Sequence, residues 1–447
     1  MNKDRKKSSL TYLLIIISCC GMVAASIGLY VNAYGIFFSP MSEALGVRRG
    51  DISLHATLCG LSTGLVGIPV IHWIQSHRLR PVILAGVVLA AVSTLLTAFT
   101  THVWQLNLLG ILRGAGLCCF HLAIVTTVVG NWFEAKRGTI TGFIASFSGI
   151  AGAVFNPIFN ALILRIGYKS ALIIMSIVTV LLTLPAILFI ELNPMQKGMV
   201  PYGHGSDEAE AAKQGDPHRR SEAAAPVKAA SDAGAEKAQA PDPVASGDEP
   251  GIVPLRYFSG LFLMICVIVF FSNFSIGFAS HLPGVAESAG YSSSFGALLV
   301  SVVMIANISF KFVIGFLADK LGAVRASQLM LAVELAGVIL MFYVIGSATS
   351  GAALMAAGFL FGSAYSYGAV GASLVTRRIY GGKQYGSAYA VTAMVGNISN
   401  ALAIAVIGYA YDFLHSYRPM TVILVVMVAS GIVLLTLAER NRVGGGD

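Results

Sequence analysis

Twelve stretches of this chain are apolar and long enough to cross a hydrocarbon slab, a distance that takes roughly 20 helical residues. They cover residues 11–38, 51–72, 81–101, 104–130, 138–163 and 168–191, then 254–280, 294–318, 326–347, 351–374, 386–410 and 419–438. Between the two sets of six, Gly203 to Gly251 is rich in Ala, Asp, Glu, Lys and Pro and has no Phe, Trp or Tyr. Such a stretch cannot bury a core. The expected fold is an all-α membrane protein of twelve transmembrane helices in two six-helix, pseudo-symmetric halves. Residues 1–192 form the first half, 193–253 a disordered linker, and 254–447 the second half. Only 11% of residues are charged, against about 25% in an average soluble domain.

The start carries Lys3, Arg5, Lys6 and Lys7 ahead of an apolar run, with Val23-Ala24-Ala25 resembling a cleavage site. The run continues past Ala25 to Phe38, too long for a signal sequence, so it reads as a first spanning helix. Orientation follows from cations in the short loops. One side has those four plus Arg78, Arg80, Lys136, Arg137, Lys320, Arg325, Arg377, Arg378, Lys383, Arg440 and Arg442, fifteen in all. The other has five: Arg48, Arg49, Arg165, Lys169 and Arg418. This asymmetry predicts a multi-pass protein of the cell (inner) membrane, with both termini and the linker cytoplasmic. The +8 net charge is loop charge of this kind and implies no nucleic-acid partner. Six cysteines, all in apolar runs, read as packing residues, since no His or Cys spacing fits a metal set. No metal, no cofactor and no catalytic residue is expected. A G-x-x-x-x-G-K-[ST] phosphate loop is also missing, so the chain does not drive transport with ATP by itself.

Inside the spans, away from their ends, only two cations occur, Arg113 and Lys311. A cation in hydrocarbon costs about 3 kcal/mol on insertion scales and marks a candidate functional site. Lys311 lies about 10 Å from the charged turn Asp319-Lys320-Leu321-Gly322, and Asn307 and Gly315 share its helix face. Its stem leans away from that turn, which favours a cavity over snorkelling to the surface, though both remain open. Arg113 is nearer its own membrane surface, and a structural role competes equally with a site role. Glu334, the single acid near mid-span, is either a buried neutral group or a carrier of coupling protons. His121 is a weaker relay candidate. Tyr30, Asn32, Tyr34, Tyr365, Tyr367, Tyr389 and Asn397 suit a polar pocket, each alone being equally explained by an interhelical hydrogen bond. Gly142, Ser146, Gly149 and Gly152, and Gly358 and Gly362, read as seams of close packing.

The 6 + 6 layout and the motif G-x-x-x-D-[RK]-x-G, met by Gly315, Asp319, Lys320 and Gly322, resemble the major facilitator superfamily. The equivalent loop after the second run, HWIQSHRLRP, lacks the Gly and Asp. NWFEAKRGTITG (Asn131 to Gly142) and the region from His281 to Gly322 resemble the oxalate/formate antiporter and monocarboxylate transporter relatives. That resemblance implies that Asn307 and Lys311 face a substrate carboxylate, with Lys where the family usually has Arg. It also implies that Asp319 meets the start of the fifth helix, near Lys136 and Arg137, when the cytoplasmic gate is shut. The second cation of the oxalate carrier's eleventh helix has no counterpart in Gly386 to Ala410. The leading expectation is secondary active transport of a small organic anion, a mono- or dicarboxylate, by a monomer in the lipid bilayer. Protons or a counter-anion are candidate co-substrates. The alternatives are carriage of uncharged or cationic molecules with Lys311 structural, or a membrane sensor that does not transport.

Overall fold

The computed structural model describes residues 2–76, 78–203, 255–346 and 350–444, and every apolar run in them is helical. Ten helices among the described residues are long and apolar enough to cross a membrane. They are α1 (Ser9–Asn32), α3 (Leu79–Thr97), α4 (Val103–Trp132), Arg137–Phe189, α7 (Gly260–Ser288), α8 (Ser293–Leu321), α9 (Ala323–Ile345), α10 (Gly351–Gly381), α11 (Gln384–Leu414) and α12 (Arg418–Asn441). Arg137–Phe189 is two crossings, α5 and α6, reversed at Gly167 where φ is 80°. Only glycine adopts that conformation without strain. Helix α2 (Arg49–Ser76) completes the twelve.

Between helices in lipid there is no hydrophobic gain, so association rests on close backbone approach and hydrogen bonds. The glycines show where. A Cβ on Gly21 of α1 would lie 2.0 Å from the Leu182 carbonyl oxygen of α6, and one on Gly114 of α4 would lie 2.2 Å from that of Cys59 in α2. The expected seams are confirmed at Gly149 and Gly152, which meet Ile308 and Met304 of α8, and at Gly358 and Gly362, which meet Leu299 and Ala306. Gly142 is different: nothing lies within 4 Å of its Cβ position.

The halves touch through two antiparallel pairs, α2 with α11 and α5 with α8, and where the segment after α1 meets α7, at Gly35 and Ser280. Described hydrogen bonds between the halves all lie toward the side opposite the termini. Among them, Asn160 Nδ2 donates to Ser294 Oγ at 3.2 Å, Ser301 Oγ to the Ala153 carbonyl at 2.7 Å, and Thr57 Oγ1 to the Ala401 carbonyl at 2.6 Å. Toward the termini the pairs part, with open space beside Gly64, Gly142, Gly315 and Gly386.

The first eleven residues of the expected linker are ordered. Residues 193–203 are folded against the first half: Tyr202 N donates to the Trp132 carbonyl at 2.8 Å, and the Tyr12 ring meets Tyr202 edge-on at 5.4 Å. Trp132 Nε1 binds the Glu191 carbonyl at 2.8 Å, and Glu191 pairs with Arg80. One aromatic, Tyr202, gives this stretch something to pack. The rest of the expected linker lies outside the described residues.

Gly21→Ala forces a Cβ against a backbone carbonyl and is expected to cost about 1–3 kcal/mol, as overpacking does. Gly142→Ala, with space beside it, is expected to leave thermal stability unchanged. Melting of both purified variants checks this; equal melting temperatures would contradict the packing.

Candidate functional site

Three groups of polar residues occupy the bundle. The first is in the N-terminal half around Arg113, only 1% exposed. Its guanidinium donates to His55 Nε2 at 2.6 Å and lies over the Tyr34 ring at 4.2 Å and the Tyr30 ring at 5.5 Å. Because Arg can only donate, His55 Nε2 accepts, and Nδ1 therefore carries the proton it gives to the Leu106 carbonyl at 2.5 Å. Tyr34 Oη also reaches His55 Nε2, at 3.1 Å, and Tyr30 Oη joins Thr94 and Thr179 at 3.0 and 2.9 Å. Nε and one terminal nitrogen of Arg113 have no protein partner. Five helices, α1, α2, α3, α4 and α6, are thus tied together around one cation.

The second group lies on the α5–α8 seam. A Cβ on Gly152 would meet Met304 Cγ at 2.8 Å and Asn32 Cβ at 2.9 Å, which brings α1 to the same place. Asn32 Nδ2 donates to the Ser148 carbonyl at 3.0 Å, and Asn307 Nδ2 meets Met304 Sδ at 3.8 Å; neither amide oxygen has a protein partner. Lys311 is one turn beyond Asn307, half-buried, where the pair begins to part. Continuing the register of Asn160–Ser294 and Ala153–Ser301 puts Lys311 level with residues 143–146. Among the described residues nothing forms a hydrogen bond or ion pair with its ammonium.

The third group is a pocket of about 100 Å³ in the C-terminal half, lined by Asn273 of α7, Gly368 of α10, and Tyr389, Thr392 and Asn397 of α11. Tyr389 and Asn397 are therefore brought together as expected. Tyr367 faces away, fully buried with no protein partner for its hydroxyl, and Tyr365 is half-buried. His121 sits at a break in α4, extended at ψ 170°, and starts the helix that follows.

Of the residues expected at a cytoplasmic gate, Asp319 and Lys320 are exposed, with Lys320 Nζ 4.4 Å from the centre of the Phe316 ring. Gly322 ends α8 at φ 84°; Lys136 starts α5 and Arg137 lies beside Gly130. No described bond joins Asp319 to either cation.

A shut gate exists on the opposite side, in residues the sequence reading passed over. Asp412 of α11 accepts from the backbone N–H of Arg49 (3.1 Å) and Gly50 (2.6 Å), capping α2 from the other half of the molecule. Arg49 pairs with Glu287 at 3.3 Å, and its guanidinium lies 4.7 Å from the centre of the Tyr411 ring. Ser39 Oγ donates to Glu287 at 2.6 Å, and Tyr409 Oη to Asp51 at 3.1 Å. Counting only Lys and Arg in the loops hid this; Asp51, Glu287 and Asp412 at helix ends were the available signal.

Twelve spans in two halves, sealed on one side of a polar middle and parted on the other, define a membrane transporter. The chain belongs to the Major Facilitator Superfamily, whose family model matches residues 14–221 and 261–445. It is similar to bovine monocarboxylate transporter 13, 24% identical over 415 residues covering 91% of this chain and 85% of that protein. An uncharacterized MFS-type transporter of Bacillus subtilis strain 168, YcxA, is 22% identical over 90% of this chain and 89% of its own. Among solved structures, the nucleoside transporter NupG aligns with a TM-score of 0.65 at 13% identity, covering 96% of this chain and 98% of its own. A bacterial homolog of the human lysosomal transporter Spinster, in an inward-facing and occupied conformation, aligns at 0.63 and 14%, covering 97% of each chain. These chains share the fold and are transporters, not enzymes.

Asp412→Asn removes a charged cap between the halves, worth about 1–3 kcal/mol for a hydrogen bond to a charged group. The α2 segment around Arg49 is then expected to exchange its amide hydrogens about tenfold faster. Exchange rates equal to the parent's would show that this contact does not hold the halves shut.

Proposed function

We propose that the protein carries a small organic anion, a mono- or dicarboxylate, across the cell membrane by alternating access, and that Lys311 is the charge that receives it. One observation carries the reading: a cation on the seam between the halves, with no partner among the described residues, next to open space. An inserted charge kept without a counter-ion is a cost that binding an anion offsets. The names of the monocarboxylate transporter relatives support the same substrate class. Asn307 and Asn32 supply amide groups beside Lys311. The neutral pocket of Asn273, Tyr389, Thr392 and Asn397 suits the uncharged part of a substrate. Arg113, enclosed by His55, Tyr34 and Tyr30, holds the first half rigid.

With the termini cytoplasmic, as the loop cations place them, this conformer is inward-facing. In the opposite state Asp319 would approach Lys136, Arg137 and the start of α5, while the Arg49–Glu287–Asp412 contacts release. Substrate moves because each state closes a different end of the same two helix pairs.

Lys311→Met is expected to abolish carboxylate uptake into proteoliposomes, with a binding loss of about 3–5 kcal/mol from leaving the carboxylate unpaired. Lys311→Arg keeps the charge and should retain part of the uptake. In the parent, ligand-induced thermal stabilisation is expected for carboxylates and not for amines or nucleosides. Uptake by Lys311→Met near the parent level would overturn the assignment. Stabilisation by uncharged solutes alone would replace the substrate class, and ligand binding without uptake would mean a sensor.

A further inference from the structure

Glu334 is the twelfth of the twenty-three residues of α9 and is 0% exposed. Both of its carboxylate oxygens lack a protein hydrogen-bond partner. The Ser275 hydroxyl of α7 is close enough to act on the carboxylate, yet neither group completes a bond to the other. Ser272 on α7, Ser327 on α9 and Tyr367 on α10 are buried hydroxyls in the same condition. These are unpaired polar atoms buried on three helices of one half.

Among the described residues no cation pairs with Glu334. From α10, Ser363 Oγ donates to the Met330 carbonyl of α9, and Tyr367 lies with Ser327 around Gly371. From α8, Ile314 faces the same place, while Lys311 lies on the face that meets α5 and forms no bond to Glu334. From α12 the buried side chains are Met420, Thr421, Leu424, Val428, Leu435 and Ala438, and the one polar side chain among them, Thr421, donates to the Arg418 carbonyl. From α11, Tyr389 opens onto the pocket. Cys266 of α7 is the remaining titratable group near these serines along the helix. A bare carboxylate in such a place is too costly to persist; it takes a proton or a cation.

We propose that Glu334, with Ser272 and Ser275, binds a monovalent coupling cation, a proton or Na⁺. One carboxylate plus neutral hydroxyl oxygens is a donor set for a hard cation of single charge. Among the described residues no third acidic, His or Cys ligand joins it, so a divalent metal does not fit. The site also has a physical link to the ligand pocket. Helix α10 is broken after Phe361, and its widened turn Tyr367–Gly371 has two faces. Tyr367 and Gly371 look toward Ser327, whereas Gly368 and Ala372 line the pocket with Asn273. Helix α7 is shared likewise, with Ser272 and Ser275 on one face and Asn273 on the other. A cation bound at Glu334 thus sets the wall that a substrate meets, and by linkage each changes the other's affinity. The cation site stands whether the second substrate is an anion or not.

The test is thermal stability of the full-length protein in detergent, from about pH 5.5 to about pH 8.5, in sodium or choline chloride, for the parent and Glu334→Gln. If the cation is a proton, the parent loses stability relative to Glu334→Gln as pH rises, because the unfolded chain releases a proton that the fold retains. Choline and sodium then give the same result. If it is Na⁺, sodium stabilises the parent saturably at fixed pH and Ser275→Ala weakens that binding by about tenfold. In both cases Glu334→Gln shows no such response. Parent and Glu334→Gln curves parallel in pH and in sodium would overturn the proposal. Should Glu334→Gln fail to fold, a lipid-soluble carbodiimide on the parent decides. Modification of Glu334 slowed by alkali marks the proton, and slowing by Na⁺ marks sodium. No modification, or none sensitive to either, overturns the proposal.

Discussion

Hydrocarbon offers no hydrogen-bond partner, so each polar group inside this bundle must find one in the protein or remain costly. That constraint sorts the interior into two kinds of residue. Tyr30, Tyr34 and His55 are satisfied around Arg113, and their arrangement fixes five helices and even the tautomer of the imidazole. Lys311 and Glu334 find no such partner among the described residues, and no packing argument explains them. Structure accounts for the first kind; the second kind is where a transported species would enter.

The same constraint explains how the two halves can move. Their contact sets small residues of one half against side chains of the other, as Gly149 and Gly152 against Ile308 and Met304, which allows sliding or rocking without tearing a hydrophobic core. Specific bonds are concentrated at one end, in Arg49, Glu287, Asp412 and Tyr409. These side chains lie at the membrane surface, partly exposed, where each ion pair contributes little and can be exchanged for water. A gate built from such pairs opens at low cost. The backbone cap on α2 by Asp412 is the stiffest part of it, since two N–H groups lose their partner together.

The helices, their number and their grouping were legible from hydropathy because spanning a bilayer imposes a length that nothing else in the chain imitates. The seam glycines were legible for the same reason, at Gly149, Gly152, Gly358 and Gly362. Pocket membership was legible only in part. Tyr389 and Asn397 meet, but helix position alone does not reveal that Tyr367 turns the other way, since a widened turn in α10 rotates it. His55 was missed because a neutral histidine near the end of a span has no sequence signature. The folded stretch 193–203 was missed because its order depends on a long-range aromatic contact, Tyr202 with Tyr12 and Phe133.

All of this turns on whether Lys311 faces water between the halves or lipid outside them. A direct measurement replaces it by cysteine in a protein whose six native cysteines are removed, and follows reaction with a membrane-impermeant thiol reagent. Reaction from the side of the termini, slowed by a carboxylate substrate, is the result this account predicts. Reaction with a lipid-soluble reagent only, and none with the impermeant one from either side, would place residue 311 in the bilayer and contradict it.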